Sequence, residues 1–350
     1  MIPFVRTGGT PYAIGHDTGQ QLRELLQEAA AAYRAGFVAR YGWDRVVALA
    51  VPHLKIAQRV VPRRVEELRG MADGAGLDLA TLFTMNARQE IAFAAKSQEE
   101  DGCTSVGIPP EASANGHVLL AHNEDATPGW SGCTYVIHAE PDDAPAYLAF
   151  SYAGLLLHQG LNSAGIGSVG NALYFNDLRP GIPKLLAYRD ALEATYLEDA
   201  LRRVNRPERA NGNNHVLASR EGEIYDVEVS GTAHALHYIG AQPWAHANHV
   251  VDAAMREREE GDLLNSRLRA DRTGHLLARA VAEGGVTVAG LQAILRDHAN
   301  HPKSVCKHVA PGINETVCTI GSVIVDLTAG ELHVCAGNPC EGGYEVFQLG

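Results

Sequence analysis

The residues best equipped for covalent chemistry in this sequence are Asp101-Gly102-Cys103-Thr104-Ser105, a thiol between a glycine and two hydroxyl residues. A cut between Gly102 and Cys103 would leave Cys103 carrying both a thiol and a free α-amine. A free thiol titrates near ~8.5 and an α-amino group near ~8, so the two are matched for proton exchange around neutral pH. Such a residue brings its own base. The amine takes the thiol proton, the thiolate attacks a carbonyl, and the ammonium returns the proton to the leaving nitrogen. In the uncut chain the same sulfur can attack the Gly102 carbonyl, and glycine, lacking a Cβ, suits a crowded backbone there. These residue types point to acyl transfer at an amide bond, preceded by cleavage of the chain's own backbone. A cysteine at the start of a strand is otherwise a small hydrophobic residue, so its surroundings must decide.

The elements that would position Cys103 change character at that point. Upstream, residues 10–41 carry Leu22, Leu25, Leu26, Ala29 and Ala30 at helical spacing, with Thr18 as the expected cap. Further helical patterns cover about 44–59, 62–74 and 79–95, and GMADGAGLD marks a turn between two of them. Met71, Leu82, Phe83 and Met85 are expected in the core. From Cys103 onward, short alternating runs separated by turn residues read as strands: 117–124, 133–140, 146–153, two more around the Asn162-Ser163-Ala164-Gly165 turn, then 214–221, 223–230, 233–240 and 244–251. Helices interrupt at 183–204, 263–283 and 287–299, and three strands close the chain. The glycines of GLNSAGIGSVGNA read as sheet and turn residues, because no helix start follows as a dinucleotide fingerprint would need. Helices, strands, a helical pair and strands again predict a layered α+β fold with stacked antiparallel sheets.

Composition narrows the function classes. With 41 acidic against 29 basic residues the net charge is −12, and no basic run tracks phosphates, so a nucleic-acid binder is not expected. The apolar runs are too short to span a bilayer, and MIPFVRTGGTPYAIG lacks an apolar segment ahead of a small-residue cleavage site. Six cysteines in 350 residues do not make a disulfide scaffold. A cytoplasmic setting is the expectation.

Several short motifs surround the thiol in a characteristic order: GCTS at 102–105, HNED at 122–125, NSAG at 162–165 with NAL at 171–173, AHANH at 245–249, SVCKH at 304–308 and GNPC at 337–340. Together with the GTPY opening, they resemble the acyl-coenzyme A:6-aminopenicillanic acid acyltransferase (isopenicillin N acyltransferase) family of N-terminal nucleophile hydrolases, over most of the chain. The resemblance implies a four-layer αββα sandwich, made as a precursor that cleaves itself into a small chain, 1–102, and a large chain, 103–350, which stay together. It implies Gly102–Cys103 as the processing site, Cys103 as nucleophile, Asp125 as the carboxylate on the new α-amine, and Asn248 as an oxyanion-hole donor. Asn123 and Ser105 are supporting residues in this scheme. The substrate would be a small-molecule acyl amide or thioester, with acyl-CoA a possible substrate, and no bound cofactor or metal is expected. One departure stands out. The family carries an arginine near the nucleophile, in the strand expected at 314–322, but NETVCTIGS has neither Arg nor Lys there and Glu315 or Thr316 takes the approximate place. That departure bears on the β-lactam substrate more than on the mechanism.

Other readings of the same residues stay open. A papain-like thiol enzyme would serve Cys103 with a histidine such as His122 or His246 and would need no cleavage. A zinc site could draw on His298, His301, Cys306 and His308, or on His333, Cys335 and Cys340, although no CxxC or HExxH spacing supports it. A protein that kept the fold and lost activity would hold an inert, uncut Cys103.

Overall fold

Fourteen strands form two sheets, and a computed structural model describes them within residues 1–95, 102–261 and 263–350. The first five are β1 (Phe4–Gly9), β2 (Thr104–Ile108), β3 (Leu119–Ala126), β4 (Thr134–Pro141) and β5 (Tyr147–Tyr152). Next come β6 (Gln159–Asn162), β7 (Ile166–Val169), β8 (Asn213–Ser219), β9 (Ile224–Val229) and β10 (His234–Ile239). Then follow β11 (Trp244–His246), β12 (Cys318–Asp326), β13 (Glu331–Ala336) and β14 (Glu345–Gln348). One sheet runs β1-β4-β5-β6-β7-β8-β9-β10 and the other β11-β2-β3-β12-β13-β14.

The two sheets face each other, and each outer face carries helices. On β2, Val106 and Ile108 pack with Leu277, Leu291 and Leu295 of the helices Leu264–Ala282 and Val288–Leu295. Between them, Gly107 looks the other way: a Cβ there would meet Val216, Ile224 and Ile239 of the eight-stranded sheet. On the opposite outer face, Leu217, Val227 and Val229 pack under Ala191, Ala200 and Val204 of the helices Lys184–Ala191 and Leu197–Val204. The N-terminal helices extend that layer, Pro11–Gln21 lying against β1 and β4. The result is the αββα order expected from the resemblance. It follows from period-two alternation, which gives each strand one face for the other sheet and one for a helix.

Three local differences from the sequence reading have physical reasons. The segment before Cys103 is not all helix: β1 pairs in parallel with β4, Phe4 opposite Val136. Six residues without alternating polarity give no period-two signal, so only the partner strand reveals it. Thr18 caps nothing. Its hydroxyl donates to the Ile14 carbonyl in mid-helix, while Thr10, ahead of Pro11, accepts from the Ala13 N–H as N-cap. The pattern at 79–95 divides at Ala87 into Leu79–Asn86 and Arg88–Ala94. The turn glycines behave as expected, with Gly76 in the left-handed region (φ 70) ending Pro62–Ala75. Met71, Leu82, Phe83 and Met85 are buried.

A buried ionic network ties the N-terminal helices to the later helical layer. Arg64 contacts Glu67 and Glu193, each at 2.5 Å, and Arg189 reaches Glu67 at 2.8 Å. Four charges out of water are tolerable only because each has partners. The network spans the Gly102–Cys103 junction, so a cut there would leave it intact.

Candidate active site

Cys103 immediately precedes β2, and its side chain shares the inter-sheet face with Ser105 and Gly107 by strand alternation. It lines a pocket with Glu124, Arg88, Tyr152, Leu157, Lys184, Leu185, Tyr188 and Asn213. The register Thr104↔Asn123 and Ser105↔His122 lays the HNED stretch alongside it. Because β3 alternates, His122 and Glu124 point toward the pocket side, while Asn123 and Asp125 point toward the helices.

Asp125 is fully buried. Its Oδ1 accepts the Thr319 hydroxyl at 2.6 Å, and its Oδ2 lies 3.4 Å from Lys307 Nζ. The Lys307 backbone N–H donates to the same Thr319 oxygen at 2.9 Å. A register shift between Thr319 and Gly321 on β12 brings Thr319 opposite Asp125. Burial pushes the Asp125 carboxyl up against the pull of Lys307 and Arg269, and burial likewise pushes the Lys307 ammonium down. Gly102 sits on this pair. A Cβ at Gly102 would stand 1.9 Å from Lys307 Nζ and 3.2 Å from Asp125 Oδ2.

On the other side, β11 pairs with β2, His246 opposite Ser105, and the residues just after β11 bring Asn248 to Cys103. The Cys103 N–H donates to Asn248 Oδ1 at 2.8 Å, and Asn248 Nδ2 donates to the Ala172 carbonyl at 3.0 Å. Asn248 thus meets Cys103 through its oxygen; an oxyanion-hole role would require Nδ2 to leave Ala172. Arg269, from the helix Leu264–Ala282, donates to the Cys103 carbonyl, to Thr104 Oγ1 at 2.7 Å and to Asn248 Oδ1 at 2.7 Å. The peptide after Cys103 is therefore clamped by a buried guanidinium, and the nitrogen before it by a carboxamide oxygen.

The histidines divide clearly. One ring nitrogen of His122, one Glu124 oxygen and Cys103 Sγ lie within 4.8 Å of one another. His122 Nδ1 is 2.8 Å from Ser105 Oγ and Nε2 is 3.0 Å from Glu124 Oε2. Glu124 also accepts from Tyr152 Oη at 2.9 Å and Gln159 Nε2 at 2.8 Å. His246 is committed elsewhere, to Asp226 at 2.9 Å and the His249 carbonyl at 2.7 Å. Asn123 donates to the Leu295 and Val305 carbonyls, which anchors the helix end and the 305 loop. Ser105 donates to Asn171 Oδ1 at 3.0 Å.

Sequence reasoning placed Cys103, Gly102, Asp125 and Asn248 together, and the fold does bring them together. It left open what takes the place of the arginine missing from residues 314–322. Glu315 and Thr316 are exposed, Glu315 accepting the Gly312 N–H in a turn. The residue that meets Asp125 from that strand is Thr319, and the cations come from Lys307 and Arg269. Lys307 lay inside the SVCKH motif, and Glu124 inside HNED. Arg269 had no sequence signal, being one of several arginines in an amphipathic helix.

A model of the acyl-coenzyme A:6-aminopenicillanic acid acyl-transferase family matches residues 112–341. The chain belongs to this family. It is 24% identical over 339 residues to the 40 kDa form of acyl-coenzyme A:6-aminopenicillanic-acid-acyltransferase of Emericella nidulans, covering 95% of this chain and 91% of that one. Among solved structures, it is similar to a mutant of the conjugated bile acid hydrolase of Clostridium perfringens, with a TM-score of 0.46 and 9% identity over 70% of this chain and 96% of that one. It is also similar to the penicillin V acylase of Agrobacterium tumefaciens, with a TM-score of 0.44 and 14% identity over 67% and 82% of the two chains. Membership makes the chain an enzyme of the acyltransferase type. No helix among the described residues is long and apolar enough to cross a membrane.

Proposed function

We propose that the chain activates itself by cleavage at Gly102–Cys103 and then works as a thiol acylase or acyltransferase. The observation that carries this reading is the double clamp on the Cys103 backbone, with Asn248 on its nitrogen and Arg269 on its carbonyl, while Lys307 Nζ and Asp125 Oδ2 occupy the space that a side chain at position 102 would need. A thiol used only for packing would have no need of it.

In the precursor, Cys103 Sγ adds to the Gly102 carbonyl and the C–N bond breaks, the thiol proton passing to the released amine. Water then hydrolyses the thioester, leaving the Gly102 carboxylate and a free Cys103 thiol and amine. The two chains, 1–102 and 103–350, would remain joined by β1–β4 pairing and the Arg64–Glu67–Arg189–Glu193 network. In turnover, the α-amine takes the thiol proton, sulfur attacks the substrate carbonyl, and the proton leaves with the departing amine or thiol. The acyl-enzyme is resolved by water or by an acceptor amine. Asn248 Oδ1 and Asp125 orient the α-amine, and backbone N–H groups or Asn248 Nδ2 hold the oxyanion. Nucleophile and base both come from Cys103, so this chemistry calls for no bound cofactor.

The pocket lining suits a small acyl amide or thioester: Leu157 and Leu185 offer apolar walls, and Arg88 and Lys184 bring positive charge. Acyl-CoA would enter as substrate. A second reading has its own observation, the closeness of Cys103, His122 and Glu124. There His122 serves the thiol in an uncut chain.

Intact mass under denaturing conditions, with Cys103→Ala alongside, separates these. Two chains from the parent and one from the variant support self-activation. A single uncut parent with thiol-dependent amidase activity moves the assignment to His122. A single uncut and inert parent removes both.

A further inference from the structure

Far from the sequence motifs of metal sites, four donors from three separate segments meet at one corner of the molecule. His298 follows the helix Val288–Leu295, Cys306 and His308 flank Lys307, and Cys340 belongs to the turn after β13. All four ligand atoms lie within 4.8 Å of one another. His298 Nε2 and His308 Nε2 are 3.1 Å apart, and Cys306 Sγ and Cys340 Sγ are 3.5 Å apart. His308 Nε2 is 3.4 Å from each sulfur.

These separations can be compared with a regular tetrahedron. With metal–sulfur bonds of ~2.3 Å and metal–nitrogen bonds of ~2.05 Å, its edges are about 3.8 Å (S–S), 3.4 Å (N–N) and 3.6 Å (S–N). The four observed edges fall a few tenths of an ångström short of those values, all in the same direction, as a set that needs only slight expansion. The two remaining edges, from His298 to the two sulfurs, are within 4.8 Å. The surroundings also match a metal shell. Asn338 Nδ2 donates to Cys306 Sγ at 3.4 Å, and Glu341 Oε1 stands 3.9 Å from the far ring nitrogen of His308. Cys306 is buried and His298 exposed, so the corner is enclosed on one side and open to solvent on the other.

We propose that His298, Cys306, His308 and Cys340 bind a tetrahedral divalent transition metal of the zinc class. Two thiolates and two imidazoles select that class over hard, oxygen-seeking cations. Four protein donors leave no open position, so the site is structural. Its position gives it a consequence for the active site. The metal would staple the 298–308 loop to the 338–340 turn, with Lys307 held between two ligands. Asn338 already binds the Lys307 carbonyl at 2.8 Å, so the staple would fix the residue whose Nζ meets Asp125.

The test is the metal content of the full-length protein, purified from zinc-supplemented cells without chelator, by elemental mass spectrometry. Parent, Cys340→Ser, His308→Ala and Cys103→Ala are compared, each checked for folding by circular dichroism. The expected result is about one metal per chain in the parent and in Cys103→Ala, with loss of most of it in the other two. Cobalt titration of chelator-stripped parent should add the visible absorption of a tetrahedral thiolate site and protect two thiols from alkylation, even where a variant fails to fold. Three results would overturn the proposal: a metal-free parent that takes up no cobalt, metal that departs with Cys103 rather than Cys340, or a Cys306–Cys340 disulfide in protein kept from air.

Discussion

Gly102→Ala loads the arrangement beside the bond proposed to be cut. The added Cβ would arrive 1.9 Å from Lys307 Nζ, and non-bonded heavy atoms rest at about 3.5 Å or more. The lysine end is flexible and can retreat, by about 1.6 Å, from its place 3.4 Å from Asp125 Oδ2. Directed away from Asp125, that retreat opens the pair to about 5 Å. At an effective dielectric of ~20 the Coulomb attraction falls from about 4.9 to about 3.3 kcal/mol, a loss of about 1.6 kcal/mol. Both partners are nearly buried, so solvent screening recovers little of it. If Asp125 must be ionised and in place for the Cys103 nitrogen to depart, cleavage slows about tenfold, since 1.4 kcal/mol is one decade. The assay is the cleaved fraction against time by intact mass after cell-free synthesis, for parent, Gly102→Ala and Cys103→Ala. Cleavage of Gly102→Ala within twofold of the parent rate would refute the idea that the Lys307–Asp125 pair supports that step.

Two further outcomes follow from the same geometry. Asn248→Ala removes both the acceptor on the Cys103 nitrogen and the Nδ2 donor proposed for the oxyanion, and loss of such a donor should drop turnover of an acyl amide by ~10²-fold or more with the fold retained; unchanged turnover would release Asn248 from the mechanism. His246 supplies a pH test. Burial works against its charge, but Asp226 and Glu228 outweigh that and raise it to about 9. Since the unfolded value is ~6.5, the stabilisation is full below that pH and is lost as pH rises through about 9. Over 2.5 units it amounts to at most about 3 kcal/mol. Denaturant midpoints measured from pH ~6 to ~9.5 should fall more steeply for the parent than for His246→Gln, and parallel curves would count against a charged His246.

How much of this was legible beforehand depended on where each partner sits. The turn at Asn162–Gly165, the strand alternation around residues 119–126 and the helix at 62–75 depend on residues adjacent in sequence, and their patterns were readable. The Gly102–Cys103 dipeptide stood out only through the ordered motifs around it, because a cysteine before a strand also serves as a small hydrophobic residue. Reading β1 failed because its evidence lies in β4, and the cations beside Asp125 were not read because Lys307 and Arg269 come from a loop and a helix outside that strand.

What the sequence determined by itself is the local part: periodicity that decides helix or strand, turn residues that end them, and a thiol in a context suited to becoming its own base. Tertiary structure alone decided which cations share the surroundings of Cys103. Lys307 and Arg269 reach Gly102 and Cys103 from a loop and a helix, and His298, Cys306, His308 and Cys340 converge across an H-x₇-C-x-H-x₃₁-C spacing. Side-chain chemistry acts over a few ångströms, while sequence order constrains distance only over a few residues. Groups that must touch yet lie far apart in the chain become visible once the sheets have stacked.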